Sequence, residues 1–258
     1  MADHTFAITV YKESPYLEAC IQSLLAQTVK SKIIIATSTP TVFTQGIADR
    51  YGITYHINDT GKIGIAHDWN FALSKMSTSW GTIAHQDDIY EPDYTQIMLQ
   101  AMQKGNNHAL IAFSNYSDIV NGKQRKSSFI SFIKNTLLFP FFFTNQVSSV
   151  FFKKMIFILG NPICCPSVMF NMERLRDFNF STEYKYALDW YAWYTLAQQP
   201  GSFLYSRKKL IRHRIHADAE TALQLNNGQK KQEEFELFKM MWGKTMAKFI
   251  LYVYSAGY

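Results

Sequence analysis

The first half of the chain alternates short runs of β-forming residues with stretches at helical spacing. No other feature restricts its fold as much. Residues 6–10, Phe-Ala-Ile-Thr-Val, read as a buried strand. Ser14-Pro15 then reads as a helix start, with serine as cap and proline at the first helical position. Leu17, Cys20, Ile21, Leu24 and Leu25 follow at helical spacing. Residues 33–36 form a second strand closed by the polar turn Thr37-Ser38-Thr39-Pro40, and a short helix runs through Ala48. A third strand covers 53–57, and a helix covers 65–76 with Ala66, Trp69, Leu73 and Met76 on one side. Residues 80–85 form a fourth strand that runs into Gln86-Asp87-Asp88, before a helix over 94–103 and a strand over 110–114. Such alternation with short links predicts an α/β fold with a mostly parallel, doubly wound sheet. Ligands bind these sheets at the carboxyl ends of the strands. The residues after Val10, the Thr37 turn and the Asp87-Asp88 turn are therefore expected to converge.

Composition narrows the function classes. Hydrophobic residues make up 47% and charged residues 18%, which excludes intrinsic disorder. The 258 residues carry 26 Lys+Arg against 20 Asp+Glu, a net charge of +6, with a pI near 9.0. The basic residues are scattered and no nucleic-acid-binding motif is present, so no nucleic-acid partner is expected. Cys20, Cys164 and Cys165 make neither a disulfide framework nor a zinc site and read as buried thiols. Met1-Ala2-Asp3-His4 lacks the basic start of a signal peptide, and no apolar run reaches the ~18 residues of a spanning helix. A cytoplasmic location follows as the expectation.

The character of the chain changes near Gly122. Lys123, Arg125, Lys126 and Lys134 lie among serines and phenylalanines, followed by the aromatic runs 137–143 and 151–158. Two readings stand: a helical subdomain whose phenylalanines enter a core, or a basic, aromatic surface in peripheral contact with a bilayer. The chain thus divides into an α/β half (1–122), an aromatic and basic helical insertion (123–160), a further half of the same domain (161–222) and C-terminal amphipathic helices (223–258). In the last segment Phe235, Phe238, Met241, Trp242 and Met246 are available to pack on the catalytic domain, a partner or lipid.

Three elements carry chemistry. Asp87 and Asp88 follow a buried strand at the ligand edge of the sheet. One carboxylate there can hold Mg²⁺ or Mn²⁺ and the other can accept hydrogen bonds from a sugar or ribose, although a solvated acidic turn gives the same pattern. Asp189 is enclosed by the aromatics of Tyr184 to Tyr194, which also suit sugar stacking. Burial raises the pKa of such a carboxylate. It can act as a general base on a hydroxyl, or as an N-cap or core ion-pair partner. Arg212 and Arg214 alternate with His213 and Ile215 as on a strand, which would turn both arginines to one face suited to phosphate. His216 can ligate a metal or donate to a phosphate.

In this order and spacing the elements resemble the family 2 glycosyltransferases of the GT-A type. The resemblance begins at residues 6–13 and the Ser23-Leu24-Leu25-Ala26-Gln27-Thr28 helix end. It continues through residues 64–73, His85-Gln86-Asp87-Asp88, Leu188-Asp189-Trp190 and Arg214-Ile215-His216 with Thr221. It covers roughly residues 5–222. It implies transfer of a sugar, with inversion, from a nucleotide-diphosphate donor to a hydroxyl of a glycan or glycolipid acceptor, assisted by Mn²⁺ or Mg²⁺. The setting it implies is the cytoplasmic face of the membrane. Asp88 is then the metal ligand, with His216 as a second ligand or a diphosphate contact. Asp87 holds the donor ribose or sugar, and Asp189 deprotonates the acceptor. Val10, Tyr11 and Glu13 line the nucleotide pocket, and Asn70 and Arg214 join the donor-binding set. The family's base-reading Asp after the second strand is replaced by Thr37 and Ser38, which offer the nucleobase hydrogen bonds without charge.

Two other classes compete. A sugar-phosphate nucleotidyltransferase would carry a Gly-rich loop after the first strand, and Tyr11-Lys12-Glu13-Ser14-Pro15 has no glycine. An inactive nucleotide-sugar- or glycan-binding relative would keep the motifs and bind without turnover.

Overall fold

Strand β1 (His4–Val10) is buried along nearly its whole length, as only a strand covered on both faces can be. The computed structural model describes residues 3–105, 108–120, 122–125, 129–215 and 228–255, with backbone alone for 129–131 and 253–255. Following β1 are α1 (Leu17–Leu25), β2 (Lys32–Thr37), α2 (Val42–Tyr51), β3 (Thr54–Ile57), α3 (Ile65–Ser74) and β4 (Trp80–His85). β1 pairs in parallel with β2 on one side and β4 on the other, and β2 pairs in parallel with β3. Side chains alternate across this sheet. Phe6, Ile8 and Val10 join α1 in one core, whereas Ala7, Ile34 and Ala36 join α3 in the other.

The sheet continues through β5 (Ile89–Tyr90), α4 (Tyr94–Lys104), β6 (Ala109–Val120), β7 (Lys123–Gln124), α5 (Phe129–Leu137), β8 (Gln146–Val147) and α6 (Val150–Met155). Then come β9 (Val168–Asn171), α7 (Leu188–Ala197) and β10 (Ser202–Ile215), and after them α8 (Gly228–Trp242) and α9 (Lys244–Ser255). Among the described residues the strand order is β3-β2-β1-β4-β9-β6-β10-β5. β9 is antiparallel to both β4 and β6, and β6 is parallel to β10. The α/β architecture with a mostly parallel core is therefore as expected.

Several local expectations are corrected. Helix α1 starts at Leu17, so Ser14 and Pro15 form a preceding turn. Within it the Ser14 hydroxyl accepts from the Tyr16 N–H and donates to Asp87. β6 is 12 residues long, well beyond 110–114. β9 escaped notice because four residues between loops carry no periodic pattern. The insertion contains the short strands β7 and β8 as well as helices. Its phenylalanines divide: Phe141 and Phe157 are core, while Phe143 is 100% and Phe151 65% exposed.

Helix α7 is apolar all round, with Leu188, Trp190, Ala192, Trp193, Tyr194, Leu196 and Ala197 buried. Trp193 and Tyr194 are thus core residues and no sugar platform. Lys153, in the run 151–158, is fully buried just beyond the carboxyl end of this helix. Its ammonium donates to the carbonyls of Gln199 (2.6 Å) and Gly201 (2.7 Å). Gly201 adopts φ +132°, and a Cβ there would lie 2.8 Å from the His108 carbonyl oxygen, so no other residue suits this crossing. Lys153→Ala leaves those two acceptors without their donor and opens a cavity. A loss of about 2–4 kcal/mol is expected in urea unfolding. A loss below about 0.5 kcal/mol would show that water replaces the ammonium without cost.

Candidate active site

The turn after β1, the turn after β2 and the turn after β4 meet at one edge of the sheet. Gln86 ties two of them. Its side-chain amide donates to the Tyr11 carbonyl (3.1 Å), and its side-chain oxygen accepts the Tyr11 N–H (3.3 Å). Lys12 has a left-handed backbone (φ 54°), uncommon without glycine, and its N–H donates to Thr39 Oγ1 at 2.6 Å. The Thr37 hydroxyl accepts the Thr39 N–H at 3.0 Å. Ser38 donates to Asp68 Oδ2 at 3.0 Å, and the Asn58 amide donates to the other oxygen of Asp68 at 3.3 Å. Helix α3 therefore brings a carboxylate to the turn that the sequence left uncharged. Burial raises the pKa of Asp68, against the pull of the Ser38 and Asn58 hydrogen bonds.

Asp87 and Asp88 diverge, as neighbouring side chains on a turn must. Asp87 Oδ1 accepts from Ser14 at 2.6 Å. Asp88 is only 2% exposed. Its Oδ1 accepts the Arg214 N–H of β10 at 2.9 Å, whereas its Oδ2 has no hydrogen-bond partner among the described residues. His85 Nδ1 lies 3.9 Å from Oδ2, and His85 Nε2 is likewise buried without a partner among the described residues. Burial lowers the pKa of His85, outweighing Asp88, so its ring is held neutral, stacked on Trp69. Two buried polar atoms without partners on one turn suit an incoming cation and its ligands better than a closed core.

These groups open on a cleft of about 390 Å³, within the range of small-ligand sites. Asp87, Asp88, His85 and Arg214 line it from the sheet edge; Asp189, Trp190 and Tyr186 line it from the α7 side. Asp189 lies in the first turn of α7, after the N-cap Ala187, so it is not the cap itself. Its Oδ1 accepts the Trp190 N–H at 2.7 Å, and its Oδ2 accepts from the Asn161 amide at 2.8 Å. Burial nevertheless raises its pKa to about 6, against those two hydrogen bonds and the Lys134 charge. His213 also faces the cleft; burial pulls its pKa down, but Asp88 and the Asp118 contact at 3.4 Å win and raise it. Cys164 and Cys165 line the cleft with thiols that burial keeps protonated.

The family model described as Glycosyl transferase family 2 matches residues 5–175. This chain belongs to that family. Glycosyl transfer is the function that membership supports, and it sets aside the nucleotidyltransferase reading. An uncharacterized glycosyltransferase of Rickettsia typhi is 26% identical over 251 residues, covering 93% of this chain and 70% of that protein. A counterpart in Rickettsia prowazekii gives the same identity and coverage. Among solved structures, S. aureus TarS 1-349 in complex with UDP-GlcNAc superposes with a TM-score of 0.67 at 14% identity, covering 96% of this chain and 70% of that one. Mannosyltransferase PcManGT from Pyrobaculum calidifontis, in complex with GDP-Man and Mn²⁺, gives 0.65 at 14% identity, covering 98% and 75%. The fold is thereby that of GT-A glycosyltransferases.

Within this family 2 chain, the expected residues fall into three groups. Asp87, Asp88, Asp189 and Arg214 share the cleft. Val10 is buried in the core, Tyr11 and Glu13 are exposed at the sheet edge, and Thr37 and Ser38 are engaged in the β2 turn. Asn70 is committed elsewhere: its side chain donates to the Phe180 carbonyl and accepts the Phe180 N–H. Arg212 is no phosphate ligand here, being bidentate on Glu91. His216 and Thr221 lie outside the described residues. Sequence reasoning did not single out Asn161, and it passed over Asp68, His213 and Lys134 as site residues although they lie in stretches it had marked.

The raised Asp189 pKa has a stability consequence. Its folded pKa of about 6 exceeds the ordinary carboxylate value of 3.8, so the unfolded chain releases this proton more readily. The group's contribution is then least unfavourable below pH ~4 and becomes destabilising as pH rises through ~6. Asp189→Asn should raise unfolding free energy at pH 7.5 by about 1–3 kcal/mol relative to its effect at pH 4. Equal effects at both pH values, measured in urea, would contradict the buried-carboxylate assignment.

Proposed function

We propose that the protein transfers a sugar, with inversion, from a nucleoside-diphosphate donor to a hydroxyl of a glycan or glycolipid acceptor, assisted by Mn²⁺ or Mg²⁺. The observation that carries this reading is the pair of carboxylates facing one cleft from opposite sides. Asp88 has an unsatisfied buried oxygen, and Asp189 has a pKa near 6.

Asp88 Oδ2 fits a divalent ion, since Mg²⁺ is commonly held by one or two carboxylates with substrate phosphates and water. Among the described residues no group of three or more His, Cys, Asp and Glu could hold a metal alone, so substrate oxygens would complete the shell, with His216 as a further candidate. A metal bound there would neutralise charge on the departing diphosphate. Arg214 acts beside it. Its Nε is anchored on the Asp87 carbonyl (2.9 Å) and its guanidinium lies 4.2 Å over the Tyr16 ring, which presents the Nη groups to phosphate oxygens. Asp87 accepts from the donor ribose or sugar. Tyr11, Glu13, Thr37 and Ser38 border the nucleoside, with Val10 setting the floor, and Asp68 supplies the negative charge missing from the β2 turn. Asp189 takes the acceptor proton. A pKa near 6 leaves it ionised at neutral pH while still basic enough to help. Attack from the Asp189 side, opposite the diphosphate, inverts the anomeric centre.

The test screens UDP-GlcNAc and GDP-mannose with and without Mn²⁺ by thermal shift, then assays transfer and donor hydrolysis. Asp88→Asn should weaken nucleotide binding in Mn²⁺ at least tenfold. Asp189→Asn should keep donor affinity within about twofold while turnover falls ~10²–10⁴-fold and the acid limb near pH 6 disappears. Full turnover in the Asp189 variant would remove it as the base. Binding without turnover in the unaltered protein, across a broad acceptor panel, would favour the non-catalytic relative.

Peripheral membrane contact through residues 123–158 is part of the same proposal. Phe132, Phe142, Phe143, Phe151 and Phe152 are exposed there, and lipid is the occupant that suits exposed aromatics beside Lys123, Arg125 and Lys154. No helix among the described residues is long and apolar enough to cross a membrane. Co-sedimentation with vesicles containing anionic lipid is expected, and Phe142→Ser with Phe143→Ser should reduce the bound fraction severalfold. Absence of binding by the unaltered protein would return this surface to another use.

A further inference from the structure

A second, smaller cavity of about 50 Å³ adjoins the cleft between β6, β10 and α5. Tyr116 and Lys134 line both spaces, so the two adjoin at those side chains. A cavity needs roughly 10–15 Å³ by this measure to hold one water, so this one takes a phosphate- or carboxylate-sized group and no sugar ring.

Its charge is one-sided. Arg125, Lys134 and Lys209 line it against a single acid, Asp118, which faces His213 at 3.4 Å. Other cations of β10 are compensated: Arg207 bonds the Phe141 and Phe142 carbonyls and Asn145, Lys208 meets Asp93, and Arg212 meets Glu91. By contrast, no side-chain hydrogen bond or ion pair is made by Arg125 or Lys209 among the described residues. Lys134 donates to the Tyr116 hydroxyl at 2.9 Å.

The backbone is also built for this placement. β10 advances from Ser206 to Lys209 while β6 advances one residue, from Ser114 to Asn115, and a second irregularity follows before Ile211. Such bulges re-aim side chains. Arg125 is brought in by the turn after β6, where its N–H donates to the Asp118 carbonyl at 2.8 Å.

We propose that this cavity is an anion subsite of the acceptor: it takes a phosphate or carboxylate carried by the molecule whose hydroxyl reaches Asp189. The transferase would then act on an acceptor that carries an anionic group. This deepens the transfer reading and rests on it, because only transfer makes the adjoining space an acceptor site. Arg125 supplies a planar fork for two oxygens, and Lys134 and Lys209 supply point charges.

The probes are glucose 6-phosphate, glucuronate, inorganic phosphate and glucose, titrated by calorimetry and NMR into the protein with and without saturating UDP and Mn²⁺. Glucose 6-phosphate or glucuronate should bind at least tenfold more tightly than glucose, and binding should weaken with added salt. In a double variant, Arg125→Ala with Lys209→Ala, that preference should fall to within about twofold while UDP affinity is unchanged. Both residues are exposed at their outer ends, so the fold should persist, checked by an unchanged melting temperature. Equal binding of charged and neutral probes, no binding of any, or a preference that survives in the variant would overturn the subsite. Stronger binding of glucose 6-phosphate than glucuronate assigns it to phosphate, and the reverse to carboxylate. Failure of UDP and GDP to bind would instead count against the transfer reading, while the nucleotide-free titrations still report on the cavity.

Discussion

A helix buried on every side must have both of its ends satisfied, and the side of the cleft that carries Asp189 depends on how α7 meets that demand. At its amino end the Glu233 carboxylate of α8 accepts the N–H groups of Lys185, Tyr186 and Ala187 at 2.7–3.1 Å. Past its carboxyl end, the Lys153 ammonium of α6 takes the Gln199 and Gly201 carbonyls. Negative charge stands at the positive pole and positive charge at the negative pole, so each ion also complements the helix dipole. The helix thus has no freedom to slide, and Asp189 in its first turn inherits that fixity. Both ions come from segments the sheet itself does not need. The insertion and the C-terminal helices therefore belong to the site as supports, whatever else their outer faces touch.

The other half of the site is set by the sheet. Asp88 leaves β4 at its carboxyl end, but the N–H that holds it comes from Arg214, 126 residues later, on β10. The same arginine bonds the Asp87 carbonyl through its side chain. The turn is thus shaped by a strand that closes the fold late in the sequence. The groups on the two sides of the cleft meet only when β10 is in register beside β5 and β6.

Legibility in the sequence followed the range of the interactions. Parallel strands buried on both faces announce themselves as apolar runs, and β1, β2 and β4 were readable to within a residue or two. The placement of Asp87, Asp88 and Asp189 on one cleft was readable because strand end and aromatic enclosure are local properties. Lys153 and Glu233 were not, since a charged residue in a helical segment looks solvated until its partner appears, here 46 to 48 residues away. The same limit hid Asp68. Residues 36–40 hold no carboxylate, and the one that reaches the β2 turn comes from α3, 30 residues on. Arg212 and Asn70 erred in the other direction: side chains of suitable chemistry proved to be spent on Glu91 and on the Phe180 backbone.

Lys134 joins these themes through one electrostatic balance. It contributes the positive field that lowers the Asp189 pKa, set against the burial that raises it to about 6. It also lines the small cavity beside the cleft. A negative group placed next to Lys134 would cancel part of that field, and the carboxylate it helps to keep ionised would become more basic. An acceptor that brought its own anion would therefore make Asp189, the proposed base, more basic, and only while bound. Water, carrying no charge, would meet the weaker base. The same ammonium that helps bind an acceptor would then help to discriminate transfer from wasteful hydrolysis of the donor, through field strength and without a moving part.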